Sequence, residues 1–250
     1  MALFEADRPP RVVVFFSGGA SGFRYLHDHD PAYGDAYEVV AGFTDEPDCP
    51  GVDHLDAADV PVVARDLRAF YEERGAETGD MDVRRAFDRG TAETIGEFDP
   101  DLLLLSGYMW RLTAPVINGQ PVLNVHPADL TVTDGGERVY VGADPVYDAV
   151  VAGEDATRSS VHLVTEAVDE GPVLVRSKPH PVNREMVSAL RRHGAEAALR
   201  NYVDAHQEWM KWEGDGPALA AALELMASGR VAVEDGDAVV DGTPGPYDLG

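Results

Sequence analysis

Asn124 and His126 stand two residues apart in the run Val122-Leu-Asn-Val-His-Pro127. In a strand that spacing puts an amide donor and an imidazole on one face, while Val125 turns to the other. Pro127 ends the strand, which sets the pair at the carboxyl edge, where open α/β sheets build their sites. An amide beside an imidazole suits stabilisation of an oxyanion together with the handling of a proton. Asp169, in Val168-Asp-Glu-Gly-Pro172, lies in a loop between apolar segments. A carboxylate close to an imidazole would orient the ring and favour its protonated form. Gly18-Gly-Ala-Ser-Gly22 follows an apolar strand and precedes a helical pattern, so its backbone N–H groups could face a phosphate. It matches neither G-x-G-x-x-G nor the P-loop. Taken singly, each of these features is equally open to ordinary strand-end or turn chemistry. The remaining candidates carry less. His27 and His29 read as a solvated helix end, His162 as a structural strand residue, Trp209 and Trp212 as core, and Cys49 as non-catalytic.

The elements that position these residues alternate in type. Arg11-Val-Val-Val-Phe-Phe-Ser17 reads as a buried strand, Glu38–Thr44 as a second, Val60–Val63 as a third, Asp101–Ser106 as a fourth and Val122–Val125 as a fifth. Helical patterns begin near Phe23 and cover Met81–Phe98. This alternation predicts βαβ units and a largely parallel sheet. Ser159–Val164 and Val173–Arg176 read as further strands. A long helix is predicted from an Asn183 cap through Trp209, with Val187, Leu190, Gly194, Ala198, Tyr202, Ala205 and Trp209 along one stripe. A helix over Pro217–Ser228 and a hairpin around Asp235-Gly236 follow. The expectation is an α/β, Rossmann-like, mainly parallel sheet with helices on both faces. Residues 1–182 would form the catalytic domain, with 183–250 a C-terminal helical and hairpin extension packed on the same fold.

Composition narrows the partners. The chain of 250 residues carries 20 basic and 45 acidic side chains, a net charge of −25. That field disfavours nucleic acid and anionic membranes. With 44% hydrophobic residues the chain can build a core, and a single cysteine allows no intrachain disulfide and no multi-cysteine zinc site. The first seven residues lack a basic segment followed by an apolar one, and no apolar run approaches a membrane span, so a cytoplasmic protein is expected. The acidic residues are scattered, and only Lys178 and Lys211 are lysines. Such a surface stays hydrated but repels itself unless salt screens it, which points to a high-salt cytoplasm. A homodimer is left open.

In chain order, five segments resemble the 10-formyltetrahydrofolate-dependent formyltransferase family: residues 16–22, 99–109, 122–127, 160–164 and 168–173. The ending Gly229-Arg-Val-Ala-Val-Glu-Asp-Gly236 is also similar. The resemblance implies that Asn124, His126 and Asp169 fall on the family's catalytic Asn, His and Asp. It puts Gly19, Ala20, Ser21 and Gly22 on the loop holding the acceptor's phosphate. Met109, Leu112 and Val168 fall on the folate pocket, and Glu208, in a loose alignment, on the ribose contact. It implies 10-formyltetrahydrofolate as co-substrate, no metal, and small-molecule substrates. The implied acceptor is 5′-phosphoribosylglycinamide; the alternatives are another amine such as an amino-sugar nucleotide, hydrolysis of the formylfolate, or a non-catalytic small-molecule binder. The chain departs from the family pattern in Gly22, where Asn is usual, in Trp110, where a basic residue is frequent, and in a longer, acidic stretch from His126 to Gly142. The run Asp129–Val141 is expected to be a mobile or partner-contacting loop over the cleft and a determinant of acceptor choice.

Overall fold

The computed structural model describes residues 3–4 and 8–250; part of the amino-terminal stretch read above for a leader lies outside the described residues. The strands are β1 Arg11–Phe16, β2 Glu38–Thr44, β3 Val62–Ala64, β4 Leu102–Leu105 and β5 Val122–His126, then the short β6 Thr133–Asp134, β7 Glu137–Arg138 and β8 Ala156–Thr157. β9 Ser160–Leu163, β10 Val173–Arg176, β11 His180–Pro181, β12 Val231–Glu234, β13 Asp237–Val240, β14 Thr243–Pro244 and β15 Tyr247–Asp248 complete them. The main sheet has eight strands in the order β15-β10-β9-β5-β4-β1-β2-β3. β1, β2, β3, β4 and β5 run parallel, and β9 is antiparallel to both β5 and β10.

The helices are α1 Ser21–His29, α2 Pro50–Asp56, α3 Leu67–Glu72, α4 Met81–Gly96, α5 Ala114–Ile117, α6 Pro145–Ala152, α7 Arg184–Arg192, α8 Glu196–Met210 and α9 Gly216–Ala227, with a π-helical turn at Lys211–Asp215. They cover both faces of the sheet, which is why β1 is a continuous apolar run. Val12, Val14 and Phe16 join one core with Phe23 and Leu26 of α1 and Leu219 and Leu223 of α9. Val13 and Phe15 join the other, with Leu67 and Tyr71 of α3 and Phe87 and Ile95 of α4. The C-terminal segment thus shares the sheet's own core, and β15 extends its edge beside β10.

Two sequence expectations are corrected by the fold. The helix predicted from Asn183 to Trp209 is two helices, α7 and α8, separated at Gly194, whose φ is +62°. After the break the buried face is Leu199, Val203, His206 and Met210 rather than the extrapolated stripe, and Trp209 is 41% exposed. The run 129–141 is not a loose loop. It folds into the β6–β7 hairpin, buries Tyr140, and is tied down where Leu130 N donates to Ser160 Oγ at 3.0 Å. The short helices α2, α3, α5 and α6 were absent from the sequence reading, because each is too brief to show a period.

Candidate active site

A cleft of about 610 Å³ opens along the carboxyl ends of β1, β4 and β5. Its floor holds Asn124 and His126, and its walls are the β1–α1 turn, residues 105–112, the Asp169 loop and the π-turn. Helix α4 holds the second wall in place. Buried Asp88 accepts from Thr113 N and Thr113 Oγ1, each at 2.7 Å, and Arg84 donates to Tyr108 Oη at 2.9 Å.

Antiparallel pairing of β5 with β9 sets Asn124 opposite His162 and His126 opposite Ser160. His162 Nδ1 donates to the Leu163 carbonyl at 2.9 Å, which leaves Nε2 as the acceptor for Asn124 Nδ2 at 3.1 Å. Burial pushes His162 down to about 4, so the ring is neutral and keeps that acceptor. One hydrogen of the Asn124 amide is thereby fixed, and the second is free for the cleft. His162, read from sequence as structural, is part of the site. The missing information was strand pairing, which places a residue 38 positions away directly against Asn124.

His126 Nε2 donates to the Tyr140 carbonyl at 2.7 Å, so Nδ1 faces Asp169 Oδ2 at 3.6 Å. Asp169 Oδ1 is also 3.6 Å from His162 Nε2, so one carboxylate faces both rings. Both separations are too long for hydrogen bonds, with room to tighten around a substrate. Burial lowers the His126 pKa and outweighs the raising effect of Asp169. Asp169 favours the protonated ring, as expected, and burial opposes it, so the net shift is downward.

In the β1–α1 turn, Ala20 has φ of +47° and caps α1 without a side-chain hydrogen bond. Gly19, Ala20, Ser21 and Gly22 all line the cleft. A Cβ at Gly19 would meet nothing within 4 Å, whereas one at Gly22 would lie 2.7 Å from Leu219 Cδ1 and 2.8 Å from Ser106 Oγ. The Gly22 amide donates to that same Ser106 Oγ at 2.9 Å. A side chain at position 22 would require Leu219 and Ser106 to shift, so the packing here favours glycine. Met109 and Val168 line the opposite wall, 76% and 54% exposed, with buried Leu112 between the wall and the core.

Glu208 is not brought to the cleft. It lies exposed on α8, paired with Lys211. The end of α8 and the adjoining π-turn instead present Gln207, Lys211 and Asp215. Asp215 Oδ1 is buried with no hydrogen-bond partner among the described residues, and burial pushes its carboxyl up to about 6. Among the described residues, no cluster of three or more His, Cys, Asp or Glu side chains could hold a metal.

The family profile described as formyl transferase matches residues 10–206. The chain belongs to the formyl transferase family. Two relatives match along most of their length. A phosphoribosylglycinamide formyltransferase of Mycobacterium tuberculosis is 30% identical over 177 residues, 70% of this chain and 72% of that one. The chloroplastic phosphoribosylglycinamide formyltransferase of Arabidopsis thaliana is 25% identical over 219 residues, 85% of this chain and 70% of that one. The crystal structure of glycinamide ribonucleotide transformylase 1 from Symbiobacterium toebii superposes with a TM-score of 0.69 and covers 96% of this chain and 98% of that one. At 23% identity, that likeness shows the shared fold of this formyl transferase.

Proposed function

We propose that this formyl transferase moves the formyl group of 10-formyltetrahydrofolate to the amine of 5′-phosphoribosylglycinamide, a step of purine synthesis. The names of the relatives support the acceptor. One observation carries the chemistry: the Asn124–His162 and His126–Asp169 pairs share a single cleft with the open glycine turn. The acceptor amine adds to the formyl carbon, the bond from that carbon to the folate nitrogen breaks, and the amine's proton ends on that nitrogen. Asn124 donates its second amide hydrogen to the oxygen as negative charge develops there. His126 takes a proton at Nδ1, and Asp169 stabilises the imidazolium so formed. Because Nε2 is held by the Tyr140 carbonyl, Nδ1 is the nitrogen that exchanges the proton.

In this reading the backbone N–H groups of Gly19, Ala20 and Ser21 receive the acceptor's phosphate. Met109, Leu112 and Val168 flank the folate. The acceptor's ribose meets Gln207 of α8 and Asp215 of the π-turn rather than Glu208. The deciding assay follows folate absorbance in molar KCl with 10-formyltetrahydrofolate and each candidate amine. Turnover requiring the glycinamide nucleotide supports the assignment. Turnover only with another amine overturns the acceptor, and folate release at the full rate without any amine overturns transfer.

A further inference from the structure

The stretch after His126, longer than the family pattern, folds so that it grips both catalytic side chains. Arg138, at the end of the β6–β7 hairpin, reaches across the cleft edge with both guanidinium nitrogens. Nη1 donates to the carbonyl of Asp169 and Nη2 to that of Gly171, the latter at 2.9 Å. Two residues further on, the Tyr140 carbonyl accepts from His126 Nε2, and the Gly142 amide donates to Asp169 Oδ2 at 3.1 Å. One short segment therefore fixes the ring of His126, the carboxylate of Asp169 and the backbone of the loop that carries it.

That loop needs a brace. Asp169 has φ of +55°, in the left-handed region that L side chains adopt only where local contacts hold them. The same residue must hold its carboxylate 3.6 Å from two different imidazoles. A relaxed loop would swing the carboxylate away from both. The hairpin itself is pinned, since Glu137 and Arg138 pair with Asp134 and Thr133, and Val139 N donates to Val132 O at 3.1 Å. Arg138 thus works from a fixed base.

We propose that Arg138 is a positioning residue for formyl transfer, acting through the Asp169 loop to hold the carboxylate against His126. This rests on the catalytic reading of Asn124, His126 and Asp169 given above. The clamp uses two carbonyls rather than a carboxylate, so salt does not screen it away as it would an exposed ion pair. The spread fork of a guanidinium spans two carbonyls, whereas the ammonium of lysine is a point charge that cannot match both directions.

The test compares wild type, Arg138→Met, Arg138→Lys and Arg138→Ala in molar KCl. The clamp predicts that Arg138→Met lowers kcat on the order of ten- to a hundredfold, as for a misplaced catalytic group. The acceptor KM should stay within about twofold of wild type, because Arg138 does not line the cleft, whereas the folate KM should rise modestly, since Val168 of the released loop lines that wall. Arg138→Lys recovers little of the loss, and millimolar methylguanidinium restores part of the kcat of Arg138→Ala. A second readout is independent of activity: exchange of the Gly142 amide accelerates in Arg138→Met, while amides of β4 keep their protection. Unchanged kcat with unchanged Gly142 exchange overturns the clamp. So does a loss that follows thermal stability alone and is not restored by methylguanidinium. If wild type turns over no amine, the functional reading fails, and the Gly142 exchange still decides whether Arg138 holds the Asp169 loop.

Discussion

His162 titrates in a direction that exposes its role. In the fold it is neutral, with its pKa pushed from 6.5 down to about 4 by burial. In the unfolded chain it takes a proton near 6.5. The folded pKa is depressed, so on acidification the unfolded state binds the proton first. Stability from this group is fully present above about 6.5 and falls as pH drops, until the loss is complete below about 4. At 1.36 kcal/mol per pH unit, that interval corresponds to a loss of about 3 kcal/mol. The perturbation is His162→Gln, whose side-chain oxygen can still accept from Asn124 but does not titrate. Denaturant unfolding in molar KCl at several pH values between 7 and 4 should show wild type losing about 3 kcal/mol more than His162→Gln. His180 and His206 are also lowered by burial and contribute alike to both proteins, while His126 faces the same Asp169 carboxylate as His162, so the difference reports residue 162 together with its effect on His126. His162→Gln should keep most of its kcat at pH 7, while His162→Leu, which strands the Asn124 amide, should lose roughly ten- to a hundredfold. Identical pH slopes in wild type and His162→Gln, with full kcat in His162→Leu, would refute the reasoning.

Other expectations follow from the same geometry. Alanine at Asn124, His126 or Asp169 should each lower kcat by about 10²–10³, and combinations should cost far less than the product of the singles, since all act on one transition state; steady-state kinetics decides this. Gly22→Asn should destabilise the fold and raise the acceptor KM, because its Cβ meets Leu219 and Ser106; a variant with wild-type melting temperature and KM would contradict that packing argument. Melting temperature should rise from 0.1 M to 2 M KCl as salt screens a net charge of −25; equal values in the two salts would remove the case for a high-salt protein.

The sheet was legible in the sequence because its strands are unbroken apolar runs such as Arg11–Phe16 and Leu102–Leu105, with helical periods between them. Asn124, His126 and Asp169 were legible from the motifs that carry them. What escaped the reading depends on which segments meet. His162 joins Asn124 only because β9 turns antiparallel against β5. The charge of His126 depends on how deeply the surrounding chain buries it, and the nearby Asp169 gave the opposite sign of shift. Helices α7 and α8 shared one apparent stripe until Gly194 changed the direction of the chain. The acidic, turn-rich run after His126 read as loose, yet its Arg138 and Tyr140 make the contacts that hold it.

The most direct test of the central claim supplies 10-formyltetrahydrofolate labelled with ¹³C in the formyl group, together with 5′-phosphoribosylglycinamide and purified protein in molar KCl, and locates the label by NMR. The account predicts the label as an amide formyl on the acceptor's nitrogen, appearing with wild type and not with Asn124→Ala or His126→Ala. Label found only as free formate, or on the acceptor at the same rate with either variant, would contradict it.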